Sequence, residues 1–279
     1  LGEIEKISQA QEKRLGLRLF FGSSSATAST SDISKGSIER LIDDTCAMAR
    51  STAQDKYSGL PAPEELARTF PDLDLFDDSG RSLLVEERTR LALDAEKTAL
   101  GFDSRIVNSE GAEFSNQMGR VVYANSHDFS GEYQGSNYSL SVVPVAALDG
   151  SMQRDYWYSS QRKFSRIESP ESVGKKAAAR ALRRLGARKI KTREVPVVFE
   201  PEIAATLLRH LSAALSGYSL YKEASFLVGS LGAKIASELV SVIDDGTIPA
   251  ALGSKPFDGE GIPINRRTIV EKGVLLSIR

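Results

Sequence analysis

Cysteine and histidine are scarce in this sequence, and their scarcity excludes several classes of protein. The single cysteine, Cys46, rules out a disulfide framework within the chain and is typical of a reducing compartment. The two histidines, His127 and His210, stand in no His-Glu-x-x-His pattern or other zinc-ligand spacing. We interpret Cys46 as a small hydrophobic residue of a helix and His127 as a polar turn residue.

Long apolar runs and an excess of charge of one sign are also missing. The sequence contains no run of about 18 apolar residues, which is the length that a membrane-spanning helix needs. Its first residues lack the apolar segment of a secretory signal. The 36 Lys and Arg against 37 Asp and Glu give a net charge of −1, which removes any global attraction to nucleic acid or anionic lipid. These absences predict a soluble, cytoplasmic protein. We expect it to bind no membrane and do not expect it to bind nucleic acid.

Motifs that identify an active site are absent as well. Neither a Gly-x-x-x-x-Gly-Lys-Ser/Thr loop nor a Gly-x-Ser-x-Gly turn occurs. The acidic residues Asp72, Asp74, Asp77 and Asp78 lack the spacing and closing Glu of a calcium loop, so we interpret them as a solvated turn. Residues and motifs alone therefore reveal no catalytic constellation.

What the sequence does contain is a succession of helical and strand-like periods. Residues 15–21 and 23–32 predict a hairpin, and residues 36–52 and 82–100 predict helices. From residue 106 to 145 the period becomes two, which predicts successive short strands with a turn at Asn108–Gly111. A further helix is predicted from its cap, Ser169, to its stop, Gly186.

A domain boundary is predicted at about residues 191–196. Beyond it we expect a strand starting at Val195–Phe199, a helix over 201–215, an irregular glycine-rich stretch and a strand over 268–278. The prediction is an α+β protein with an N-terminal sheet-and-helix domain, residues 1–192, and a mixed, β-rich second domain, residues 193–279. Because position 1 is not Met and the chain stops within an apolar strand, we expect the second domain to be incomplete.

The segment from Lys175 to Arg193 holds nine basic residues and no acidic one. A solvated helix face is the simplest interpretation, because cations are favoured near a helix C-terminus. A surface for a protein partner or for nucleic acid remains open, although no interleaved aromatic residues support the latter.

Several blocks of the sequence resemble one known family. The blocks are Leu15–Arg18, Tyr57–Leu60, Asn108–Gly111, Pro196–Pro201, Leu215–Gly217, Ser225–Leu227 with Leu231-Gly232, and Gly253–Pro263. Together they are similar to the TldD/PmbA family over nearly the whole chain. The most specific block is the last one, which reads Gly-Ser-Lys-Pro-Phe-Asp-Gly-Glu-Gly-Ile-Pro.

The resemblance implies a family of cytoplasmic zinc metalloproteases that process or degrade small unfolded peptides. Its two subunit types, TldD and PmbA (or TldE), pair as a heterodimer around a chamber, and the TldD type carries His-Glu-x-x-x-His on the first helix of the second domain. Here the matching helix has His210 followed by Leu211, without a second histidine. Hydrolytic zinc needs three protein ligands. The resemblance therefore implies a PmbA-type chain without catalytic residue, metal or other cofactor, whose zinc resides in a TldD-type partner.

The sequence leaves open whether this chain is itself an enzyme. As contacts for the partner or as lining of the chamber we expect Tyr218, Tyr221, Phe226, Phe257, Arg266 and Arg267. The alternative for Phe257 is a place in the core of its own domain. The alternatives for the protein are a stand-alone peptide-binding scaffold or homodimer without hydrolytic activity, and an independent hydrolase with an unrecognised site.

Overall fold

The computed structural model describes residues 2–278, in which helices and antiparallel strands are mixed. The strands are β1 (Leu15–Phe21), β2 (Ser24–Thr30), β3 (Ile106–Ala124), β4 (Ser130–Leu148), β5 (Ser151–Arg154), β6 (Trp157–Gln161), β7 (Val242–Asp245), β8 (Arg266–Glu271) and β9 (Val274–Leu275). The helices are α1 (Lys35–Ser51), α2 (Val85–Leu100), α3 (Pro170–Arg183), α4 (Pro201–Ala214) and α5 (Gly217–Tyr221). The predicted α+β class is confirmed.

A long ribbon of two antiparallel strands, β3 and β4, is the centre of the fold. The other edge of β4 pairs with β5 and β6, while β1 with β2 and β7 to β9 form separate small sheets. The prediction of successive short strands with a turn at Asn108–Gly111 is wrong, because these residues lie within β3. The pairing shifts between Ser109 and Ala112, and Gly111 has a φ of 115°, so the turn-like residues form a bulge in a continuous strand.

The first core, which we call the helix–sheet core, lies where α2 and α3 cover one face of the ribbon. Leu140 and Val142 of β4 are buried against Ala95 of α2 and Val173 and Ala177 of α3. The alternation along β4 follows from its period of two, as predicted. The cap of α3 is also confirmed, because the Ser169 hydroxyl accepts a hydrogen bond from the Ser172 N–H at 3.2 Å.

Two smaller clusters hold the rest of the molecule. The C-terminal core consists of Leu215, Leu227, Ile269, Val270 and Leu275, with Leu211 and Ala214 of α4 packed against it. The aromatic cluster joins Phe129 and Phe257 to Leu66 and Ala67, with Tyr123 and Tyr133 at its border. It therefore connects the loop after α1, the tip of the ribbon and the Gly253–Pro263 block.

Two strand predictions in the second half of the chain are wrong. The strand predicted at Val195–Phe199 is absent, because residues 186–200 form no strand. Val198 is 95% exposed, so no other part of the described chain covers this apolar segment. The predicted strand over residues 268–278 is a hairpin of β8 and β9. Its two-residue turn is Lys272-Gly273, whose φ angles of 45° and 82° are those of a type I′ turn.

Candidate functional site

Helix α4 carries the one histidine that the family resemblance singles out. Pro201 occupies its first turn, and its apolar residues recur at helical spacing. Despite this pattern α4 has no buried residue: Ile203, Leu207 and Leu208 are all about half exposed. His210 is exposed near its C-terminal end.

The residues around His210 do not fit a hydrolytic zinc ion. Leu211 follows the histidine, and across residues 2–278 no group of three His, Cys, Asp or Glu side chains is placed to hold a metal. The other histidine, His127, lies in a turn after β3, with its Nδ1 3.0 Å from the carbonyl oxygen of Pro61. Within residues 2–278, therefore, no set of side chains has the three ligands of a hydrolytic zinc ion.

Tyr218 and Tyr221 share one exposed aromatic surface with Tyr57 of the N-terminal half. The rings of Tyr57 and Tyr221 meet edge to face with centroids 5.2 Å apart. The Lys222 ammonium lies 5.9 Å from the ring centre of Tyr218 and 5.1 Å from that of Tyr221. Tyr218 is 72% exposed, so this surface can take a partner or ligand by stacking.

Phe226 lies in the turns after α5 and is 81% exposed. The backbone on either side is ordered by Ser225, whose hydroxyl donates to the Ala214 carbonyl at 2.6 Å and accepts from the Leu227 N–H at 3.1 Å. Leu227 is thereby turned into the C-terminal core while its neighbour Phe226 faces outward. An ordered backbone that presents a bare aromatic ring suits a contact residue.

Phe257 is placed otherwise, because it is 1% exposed and belongs to the aromatic cluster. Its ring centre lies 5.3 Å from those of Phe70 and Phe129 and 5.4 Å from that of Tyr133. The structure thus supports the alternative interpretation of Phe257 as a core residue. Main-chain groups of the surrounding block are also engaged: the Asp258 N–H donates to the Ile262 carbonyl within the block, and the Gly261 carbonyl accepts from the N–H of Ala67 in the loop after α1.

Arg266 and Arg267 lie on β8, opposite the acidic residues of β7. Their Nε atoms are 3.6 and 3.7 Å from Oδ2 of Asp245 and Asp244, respectively. Both guanidinium groups are more than half exposed, so these pairs contribute little stability and leave N–H groups for a partner. The six sequence-predicted residues therefore do not form one site: the two tyrosines come together, Phe226 and the arginines lie on other elements, and Phe257 is buried.

Sequence reasoning missed a cluster of charges, the Arg180 cluster, formed by Arg180, Asp155, Glu200 and Glu202. Arg180 Nη1 is 3.1 Å from Glu200 Oε1 and 3.4 Å from Glu202 Oε2, and Arg180 Nε is 3.5 Å from Asp155 Oδ1. The Arg180 guanidinium also lies over the ring of Trp157, 5.5 Å from its centre. Its acidic partners stand 20 or more residues away in the sequence, so no local spacing indicated them.

The charges of the cluster stabilise one another's ionised forms. Burial by itself would lower the pKa of Arg180, but the carboxylates of Asp155, Glu200 and Glu202 outweigh it and raise that pKa. A hydrogen bond from Arg183, 3.0 Å long, is the main cause that lowers the pKa of Glu200. These ion pairs therefore favour the charged forms of Arg180 and Glu200.

Basic residues of α3 such as Lys175 and Arg183 are more than half exposed, in line with the predicted solvated face, and they also form ion pairs. Lys175 pairs with Glu171, Lys176 with Glu168, and Arg184 with Asp155. These acids offset part of the positive charge of the segment, while Arg188, Lys189, Lys191 and Arg193 beyond the helix are exposed.

A membrane-spanning helix would need both length and apolar character, and none of the helices within residues 2–278 combines the two.

Comparison with known proteins places these features in a family. Three of its domain models match: PmbA/TldA metallopeptidase domain 1 at residues 1–49, the central domain at 78–185 and the C-terminal domain at 192–278. The chain is 37% identical over 275 residues to a metalloprotease PmbA homolog of Haemophilus influenzae, and 36% identical over 274 residues to metalloprotease PmbA of Escherichia coli O157:H7. These alignments cover 99% and 98% of this chain and 60% of each relative.

A solved structure agrees with the sequence relatives. The crystal structure of a proposed modulator of DNA gyrase from Bacteroides thetaiotaomicron superposes with a TM-score of 0.92 at 30% identity, over 98% of this chain and 62% of that one. The chain thus spans 60% of the length of the curated relatives it matches. On the three domain matches and the near-full-length identity to PmbA proteins, the chain belongs to the PmbA/TldD metallopeptidase family and is of the PmbA type.

Proposed function

We propose that this chain is the non-metal, PmbA-type part of a two-subunit zinc peptidase that processes or degrades small unfolded peptides. In this proposal a TldD-type partner supplies the zinc and the activated water. The observation that carries it is helix α4, which places one exposed histidine, His210, beside Leu211 where a metal-binding subunit needs a general-base glutamate.

The apolar surface of the second half supports a role in association. Ile203, Leu207 and Leu208 of α4 and the rings of Tyr218 and Phe226 are exposed together with Val197 and Val198. Apolar residues in this number on neighbouring elements are typical of a surface that is covered in the working protein. We assign the aromatic surface of Tyr57, Tyr218 and Tyr221 to the contact with the TldD-type subunit or with the peptide in the chamber.

The experiment co-expresses this protein at its natural length with a TldD-type subunit and measures zinc content and peptide cleavage. We expect the protein alone to bind no stoichiometric zinc and to cleave no peptide, and the pair to contain zinc and cleave unfolded peptides. His210→Ala should leave the zinc content and the cleavage rate of the pair within a few fold of wild type.

Two outcomes would contradict the proposal. An equivalent of tightly bound zinc in the protein alone, lost in His210→Ala, would show an independent hydrolase. A protein that binds peptides as a monomer or homodimer, and never co-purifies with the TldD-type subunit, would be a stand-alone scaffold.

A further inference from the structure

Helix α4 is attached to the rest of the molecule at its two ends and by different forces. At its C-terminal end Leu211 and Ala214 pack against the C-terminal core. At its N-terminal end Glu200 and Glu202 meet Arg180 of α3, and Glu200 also pairs with Arg183. Between these ends residues 207–210 are all exposed, and the chain leading into the helix, residues 187–199, is exposed as well.

We propose that Arg180 is a positioning residue that fixes the direction of α4 relative to the central sheet. Arg180 is suited to this role because its side chain is only 15% exposed and is held from three sides. Trp157 of β6 lies under the guanidinium, Asp155 binds its Nε side, and Glu200 and Glu202 bind its Nη1 side. A planar, always charged guanidinium can keep this geometry, whereas a flexible ammonium cannot.

The Arg180 cluster is balanced in charge once its neighbours Arg183 and Arg184 are counted. Arg180, Arg183 and Arg184 carry three positive charges, and Asp155, Glu200 and Glu202 carry three negative ones. The three arginines lie on or directly after α3 and Asp155 lies between β5 and β6, whereas Glu200 and Glu202 belong to the start of α4. Movement of α4 would therefore leave three arginines facing Asp155 alone, and Arg180, whose side chain is 15% exposed, would lose two of its three carboxylate partners.

Hydrogen exchange of the protein alone tests this inference directly. The main variant is the double substitution Glu200→Gln with Glu202→Gln, which removes the α4 side of the cluster and leaves the buried pair of Arg180 and Asp155 in place. We expect amide exchange over residues 201–210 to become at least about tenfold faster, with exchange in β4 unchanged. Arg180→Met should act in the same direction.

Lys175→Met is the matched control, because Lys175 lies on the same helix and pairs with Glu171 within that helix. It should leave exchange in α4 at the wild-type rate. Unchanged exchange over residues 201–210 in the double variant would overturn the inference. Equal acceleration in α4 and β4 would also overturn it, because the cluster would then serve the stability of the whole protein.

The consequence for association rests on the proposed function, since it treats the exposed face of α4 as part of the subunit contact. Co-purification of the double variant with a TldD-type subunit should fall at least about tenfold, while His210→Ala should retain it. If wild-type protein captures no such subunit, the proposed function fails, and the exchange experiment still decides the role of Arg180.

Discussion

Phe257 occupies the space that a side chain on Gly131 would need. A Cβ atom built on Gly131 would lie 2.8 Å from Cε1 of Phe257 and 2.9 Å from Cζ of Phe129. Gly131 belongs to the tip of the ribbon and Phe257 to the Gly253–Pro263 block, so two distant parts of the chain meet here without spare room. The family-specific block thus serves the fold as an anchor on the central ribbon.

Phe257→Ala should lower the free energy of unfolding by about 3–5 kcal/mol, because it opens a cavity in the aromatic cluster. Urea unfolding of the protein alone measures this loss. Phe226→Ala is the control, since its exposed ring should change stability by less than about 0.5 kcal/mol. Equal stability of the two variants would show that the ring of Phe257 is not packed as described.

Gly131→Ala should destabilise the protein by about 1–3 kcal/mol, since the added methyl group must displace two packed rings. Gly119→Ala on the opposite strand is the matched control, because nothing lies within 4 Å of its added Cβ. That change should be neutral or slightly stabilising, as it only restricts the unfolded chain. Thermal unfolding of both variants gives the comparison, and a loss of the same size in both would refute the steric explanation.

Tyr138→Phe should cost about 1–3 kcal/mol, because it removes the partner of one buried and one partly buried main-chain group. The Tyr138 hydroxyl donates to the Asp77 carbonyl at 2.7 Å and accepts from the Gly80 N–H at 2.9 Å. Tyr158→Phe on the neighbouring strand removes a hydroxyl from a half-exposed ring and should change stability by less than about 0.5 kcal/mol. Chemical denaturation distinguishes the two variants.

Asp77 should make stability depend on pH in the acid range. Burial alone would raise its pKa, but the N–H groups of Ser79 and Phe164, which donate at 3.0 and 2.7 Å, and the charge of Lys163 keep the pKa below its ordinary value of 3.8. The stabilisation is therefore fully present above the ordinary pKa of 3.8 and is lost as the pH falls through the folded pKa.

The corresponding measurement is urea unfolding of wild type and Asp77→Asn between pH 7 and pH 2. Wild type should be the more stable protein at pH 7, and the difference should shrink below pH of about 4. Asp78→Asn controls for the loss of one negative charge nearby. A difference between wild type and Asp77→Asn that stays constant over the whole range would show that the carboxylate hydrogen bonds do not form.

Local signals predicted the four long helices well, because their caps and periods lie in adjacent residues, whereas the short helix α5 was not predicted. Ser169 and the helix after it are examples. Features set by distant partners were not predictable. The turn-like Asn108–Gly111 became a bulge because β4 continues alongside it, and the acids that pair with Arg180 lie between β5 and β6 and at the start of α4. Among the candidate contact residues, Phe257 is buried because its ring packs against Gly131. The two residues are far apart in the sequence, so no local pattern indicated this contact.

Strand β4 runs through both the helix–sheet core and the border of the aromatic cluster, from Tyr133 to Val142. The C-terminal core contains no residue of that strand and draws on residues 211–275 alone. Cooperativity should follow this division, because loss of β4 removes support from two clusters at once while the third keeps its own contacts. Heating the protein should thus reveal two cooperative units, the larger one centred on β4 and the smaller one on β8.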